Sequence, residues 1–166
     1  MRLFIAINLN EEMKEALMDI QDTMRTYGVR GRETPAENMH LTLAFIGEYD
    51  DPYYVKSVVD SIEIAPFDIR LRGIGAFGDL WWAGIEECAP LQAVARRLRR
   101  ALSEADIPYD KKKFSPHITL IRRANGRLSE ASKEEMSEHF GTRMRVDHIS
   151  LMRSDRGKHG MIYTEL

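Results

Sequence analysis

The chain has 166 residues, 43% of them hydrophobic, which is about one domain by length and enough apolar material for an ordinary core. A formal charge of −2 excludes a protein that coats nucleic acid over its whole surface. A single cysteine, Cys88, excludes an intrachain disulfide framework and fits a reducing compartment, so a cytoplasmic location is expected.

Leu3 to Leu9 reads as a buried strand; Asn8 interrupts it and Glu11 and Glu12 follow, which argues against a secretory signal. Asn10 can cap a helix in which Met13, Ala16, Leu17, Ile20, Met24 and Tyr27 recur at steps of three and four. Gly28 to Asn38 reads as a loop leading to a strand over Met39 to Ile46. Gly47 to Asp51 turns the chain, and Pro52 opens a second helix with Val55, Val58, Val59 and Ile62 on one side.

Pro66 to Leu71 reads as a strand, with Gly73, Gly75 and Gly78 marking a bend or bulge before a further strand, Leu80 to Ile85. No helix pattern follows those glycines, so they are not a phosphate-cradling loop. Trp81 and Trp82 fall on opposite strand faces, and a core or interface role is expected for one of them. Pro90 begins the longest helix, with Leu91, Val94, Leu98 and Leu102 inward; the four arginines around residue 98 read as its solvated face, and Cys88 reads as a packing residue. A basic loop, Lys111 to Lys113, leads to a strand over Phe114 to Arg122. Asn125 and Gly126 turn the chain, Ser129 caps a weaker helix to about Phe140, and Arg143 to Met152 and Gly160 to Leu166 read as closing strands. No segment is long and apolar enough to span a bilayer, so no membrane partner is expected.

Two stretches carry chemistry. In His40-Leu41-Thr42-Leu43 and His117-Ile118-Thr119-Leu120, strand alternation puts histidine and threonine on one face and the aliphatic residues on the other. A lone histidine in such a strand is usually a satisfied, half-buried residue; the repetition, 77 residues apart, argues otherwise. The same offset lays Ala6 on Ala83, the first helix on the third, and Pro52 to Ile62 on Ser129 to His139. One domain built from two duplicated lobes, about 1–77 and 78–166, is the expectation.

Histidine titrates near pH 6.5, so at neutral pH one copy can act as a base and the other as an acid. Placed either side of a phosphorus atom, the pair suits in-line displacement, with Thr42 and Thr119 donating to the non-bridging oxygens and Arg122 adding a charged donor. From Arg96 to Arg127 ten basic residues stand against three acidic ones, a local cationic stretch that flanks the second motif. Two histidines with no third ligand at metal spacing argue against a metal site, and His139, His148 and His159 lack a threonine partner. A binding module without catalysis would explain the basic flank but not both histidines.

Paired His-x-Thr-x motifs in a chain opening Met1-Arg2-Leu3-Phe4-Ile5-Ala6 resemble the two-histidine (2H) phosphoesterase superfamily, and within it the RNA 2′,3′-cyclic phosphodiesterases, also called 2′-5′ RNA ligases. The likeness extends through Glu37 to Phe45, Gly75 to Phe77, Trp82 to Gly84, and Phe114 to Arg122. It implies a bilobal, pseudo-twofold α+β fold, two antiparallel sheets facing a central cleft with helices outside. It also implies a hydrolase without metal or other cofactor that opens an RNA 2′,3′-cyclic phosphate to a 2′-phosphate, with possible substrates including tRNA fragments, and that can run 2′-5′ ligation; a monomer is expected. By that resemblance alone His40 is the acid, His117 the base, Thr42 and Thr119 hold the phosphate, and Arg122 matches a family arginine; the internal symmetry itself gives no reason to choose between the histidines. Related enzymes act on 2′-5′ oligonucleotides or small cyclic phosphates. Members often carry an aromatic residue shortly before the first motif, where this chain has Gly31, Arg32, Glu33 and Thr34.

Overall fold

The apolar run near the N-terminus forms β1 (Arg2–Asn8), whose residues Leu3 to Ile7 are all buried. In the computed structural model, which describes residues 1–166, this strand has two dry faces. Leu3, Ile5 and Ile7 join a main core of 34 buried residues, while Phe4 and Ala6 join Met152 in a small second cluster flanked by Phe45 and Tyr163. A strand covered on both sides reads as a continuous apolar run rather than as an alternation.

Helix α1 (Glu11–Thr26) begins where the Asn10 side chain accepts from the Met13 amide at 2.9 Å, with Glu11 and Glu12 in its first turn. Asp51 caps α2 (Pro52–Asp60) and Ser129 caps α4 (Glu130–Ser137), each accepting from the amide three residues on. In α3 (Ala89–Glu104) Leu91, Val94, Ala95, Leu98 and Leu102 are buried, the expected inner stripe. Fully burying such an aliphatic side chain is worth about 1.5–3 kcal/mol, so this face fixes how the helix lies on the sheets.

Two antiparallel sheets complete the fold. One has the order β3 (His40–Glu48), β1, β8 (Ser150–Gly157), β9 (Gly160–Glu165). The other has the order β2 (Arg30–Glu33), β6 (His117–Asn125), β5 (Leu80–Ile85), β4 (Phe67–Phe77), β7 (Arg143–Val146). The sheets do not divide at residue 77: β4 belongs to the sheet of β5 and β6, and the closing hairpin β8–β9 belongs to that of β1 and β3.

The structure departs from the sequence reading in three places. Arg30–Glu33 is a strand rather than loop, because β6 supplies the ladder that its polar sequence does not advertise. The second motif strand starts at His117 rather than Phe114; Pro116, without an N–H, cannot join the ladder. Arg143 to Met152 is not one strand: β7 is the edge of one sheet and β8 lies inside the other, between β1 and β9, the two parted at Asp147–Ile149. The glycine-rich stretch does carry the expected bulge: β4 runs through it to Phe77 with a register shift between Leu71 and Ile74, where Gly73 has φ +84°.

Candidate active site

Both motifs open their strands, β3 at His40 and β6 at His117, and these two strands lie against each other. In each, histidine and threonine are half-buried while the residues between and after them, Leu41 and Leu43 or Ile118 and Leu120, are fully buried. Each ring is oriented the same way. His40 Nδ1 lies 2.8 Å from the Asn38 carbonyl oxygen and His117 Nδ1 lies 2.7 Å from that of Ser115. A carbonyl only accepts, so Nδ1 carries the proton in both rings and Nε2 is the nitrogen left for chemistry. His40 Nε2 meets the Thr42 hydroxyl at 2.9 Å.

A bulge follows each threonine. Along β1, Ala6 faces Thr42 but Ile5 faces Ala44, so Leu43 is passed over. Along β5, Trp82 faces Thr119 but Trp81 faces Ile121, so Leu120 is passed over. Leu43 and Leu120 hold the same place in the two motifs. Each bulge reverses the phase of its strand, so Leu43 and Ala44, like Leu120 and Ile121, are all buried, and the next residue returns to the cleft face. Those residues are Phe45 and Arg122. Simple alternation from His117 would have sent Arg122 away from the cleft.

The two histidines sit in different surroundings. His40 lies 4.9 Å from the Phe4 ring and 5.2 Å edge-on from that of Tyr163. Burial there pushes its pKa below the ordinary value, the Asn38 carbonyl opposes that, and the positive charges of Arg122 and His117 push it lower. Arg122 and His117 therefore lie within electrostatic range of His40. His117 packs edge-on to the exposed Phe77 ring at 5.1 Å and lies 6.3 Å from Trp82. Trp81 packs against the main core, so the two tryptophans do take opposite faces.

Beside His117 and Thr42 opens a groove of about 480 Å³, lined by Phe45, Phe77, Phe114, Lys112 and Lys113 among others; His40, Thr119 and Arg122 lie off its lining. Arg99 borders it and is not a solvated surface arginine. Its guanidinium donates to the Leu43 carbonyl at 3.2 Å and the Lys112 carbonyl at 2.7 Å, and lies over the rings of Tyr109 and Phe114. The bulge frees the Leu43 carbonyl from the ladder, and a donor from α3 takes it up. Gln21 reaches the equivalent carbonyl from α1, donating at 3.0 Å to Leu120, whose oxygen also accepts from the Thr34 amide at 2.9 Å. Neither anchor was visible in the sequence, where an arginine on an arginine-rich helix and a glutamine among apolar residues carry no distinguishing pattern. No three His, Cys, Asp or Glu side chains gather where they could hold a metal ion, and no helix is long and apolar enough to cross a membrane.

Residues 14–158 match the family model of the 2′-5′ RNA ligase superfamily. The RNA 2′,3′-cyclic phosphodiesterase of Thermus thermophilus is 34% identical, over 100% of this chain and 88% of that protein. The protein of the same name from Archaeoglobus fulgidus is 28% identical, over 100% and 98%. Among solved structures, apo LigT of E. coli superposes with a TM-score of 0.82 at 25% identity, covering 99% of this chain and 94% of that one, and LigT has also been solved with 3′-AMP. With a whole-length likeness of this kind added to the paired motifs and the two-sheet cleft, the chain belongs to the 2′-5′ RNA ligase superfamily.

Proposed function

We propose that this chain hydrolyses the 2′,3′-cyclic phosphate at the end of an RNA strand to a 2′-phosphate, using His40 and His117 and no metal. The observation that carries the reading is the matched tethering of the two rings, which leaves Nε2 of each as the reactive nitrogen. His117 takes a proton from water as its oxygen attacks phosphorus; the bond from phosphorus to the 3′ oxygen breaks in line, and His40 gives that oxygen a proton. Thr42, Thr119 and Arg122 donate to the non-bridging oxygens as charge builds on them. In the free protein, burial and neighbouring cations favour neutral His40. A phosphate anion in the cleft offsets Arg122 and draws a proton onto His40, so the acid is loaded when substrate binds. With an RNA 5′-hydroxyl in place of water, the same step leaves a 2′-5′ linkage.

The reading includes a cytoplasmic monomer and two duplicated lobes. In support of the duplication, the bulges at Leu43 and Leu120 and the histidine tethers at Asn38 and Ser115 recur at an offset of 77, and the helix N-caps at Asn10 and Asp51 recur one residue later, at Cys88 and Ser129. In the final strands the offset slips by one, since Ala6 faces Ser150 while Ala83 faces Ile74.

The test is hydrolysis of a short RNA ending in a 2′,3′-cyclic phosphate, in chelator, by wild type, His40→Ala and His117→Ala. The expected result is a 2′-phosphate product and a loss on the order of 10²-fold or more in each variant. A folded variant that keeps the wild-type rate would overturn the two-histidine mechanism, and binding without turnover by wild type would favour a nucleotide-binding module.

A further inference from the structure

Strand β2 brings a second arginine to the cleft. Arg32 lies directly across from Arg122 in the β2–β6 ladder, and the next pair is Glu33 with Ile121. Directly opposed residues share a face of the sheet. Ile121 is buried in the main core, and Glu33 is ion-paired to Arg25 of α1 on that same side. Arg32 and Arg122 therefore share the other face, which carries His117 and Thr119.

Two like charges opposed across a ladder destabilise it unless something neutralises them. Arg25, Arg70, Arg72, Arg100 and Arg153 each have a carboxylate partner, while exposed arginines such as Arg2, Arg30, Arg123 and Arg127 do not. Arg32 and Arg122 have none, and the one acid adjacent to them, Glu33, is turned away to Arg25. An uncompensated guanidinium pair beside a phosphate site has the chemistry of a receptor for a second phosphate.

We infer that Arg32, alongside the Arg122 that serves the cyclic phosphate, binds the last internucleotide phosphodiester of the RNA strand whose terminal cyclic phosphate lies between the histidines, making the protein selective for oligonucleotides over mononucleotides. This rests on the proposed function. Arg32 contacts an unreacting part of the substrate, so its contribution is to binding and is the same in the ground and transition states.

The experiment compares three substrates: a nucleoside 2′,3′-cyclic phosphate, a trinucleotide with the same cyclic end, and that trinucleotide with an uncharged methylphosphonate as its last internucleotide linkage. For wild type, kcat/KM on the charged trinucleotide is expected to exceed that on either other substrate by about tenfold, the scale of one charge-assisted hydrogen bond. Arg32→Gln should raise KM for the charged trinucleotide by about tenfold with kcat kept, and lower the salt slope by about 1. On the methylphosphonate it should cost little more, because the group it binds is already gone. Arg32→Lys, which keeps the charge, should recover part of the loss and all of the salt slope. An equal penalty on charged and neutral trinucleotides, or none on either, would overturn the inference. So would a linkage-specific loss in Lys113→Gln without one in Arg32→Gln, which would route the strand through the groove beside Phe114. If wild type opens none of the three substrates, the proposed function itself falls and this inference with it.

Discussion

Gln21 and Arg99 perform the same task from opposite halves of the chain: Gln21 Nε2 donates to the carbonyl of Leu120 and Arg99 donates to that of Leu43. Each helix reaches across to the motif strand of the other half, and each donor meets the carbonyl of the bulged residue, which at Leu120 it shares with the Thr34 amide. The bulges decide which residues face the cleft. The paired anchors therefore hold the cleft in phase.

Removing Arg99 leaves the Leu43 carbonyl short of a donor, at a cost of about 1–3 kcal/mol, whereas without Gln21 the Leu120 carbonyl keeps the Thr34 amide and the cost falls to about 0.5–1.5 kcal/mol. Gln21→Leu and Arg99→Met are both expected to melt earlier and to lower kcat for a cyclic phosphate substrate. Urea melts and steady-state kinetics on the same preparations test this. Lowered stability with unchanged kcat would show that the bulges hold without these donors.

The pKa of His40 is depressed in the folded protein, so folding favours the neutral ring. That contribution is complete above the unfolded value near 6.5 and is lost as pH falls through the folded value, where the buried ring must accept a charge. Wild type should therefore lose stability relative to His40→Gln as pH is lowered below about 6.5. Chemical melts of the two proteins from pH 8 to 5 decide it; parallel curves would mean that His40 does not titrate differently on folding.

Acid and base roles separate by leaving group. With sulfur in place of the 3′ oxygen, the departing thiolate needs no proton, so the substituted cyclic substrate should restore most of the rate lost in His40→Ala and little of that lost in His117→Ala. Rescue in the opposite order would exchange the two roles.

Gly75 lies under the Trp82 indole: a Cβ there would stand 2.3 Å from Trp82 Cζ2. Gly75→Ala should displace that ring from beside His117, at a cost of about 1–3 kcal/mol as overpacking. Near-ultraviolet circular dichroism would register the movement of the indole. An unchanged spectrum and melting point would mean that the strands part more easily than the packing implies.

The sequence by itself determined the local elements and the identity of the chemical groups. The helix caps at Asn10 and Ser129, the inner stripe of α3 and the His-x-Thr alternation are all set by neighbours within a few residues, where backbone geometry and side-chain periodicity are sufficient. Tertiary structure decided the rest. Arg122 reaches the cleft only because Leu120 is bulged against β5, and Arg30–Glu33 is a strand only because β6 lies beside it. One closing segment is divided between two sheets, and His40 is held toward neutrality by Phe4 and Tyr163 from distant strands. Register, phase and burial depend on partners far away in the chain, and a linear pattern carries no record of which partner will be there.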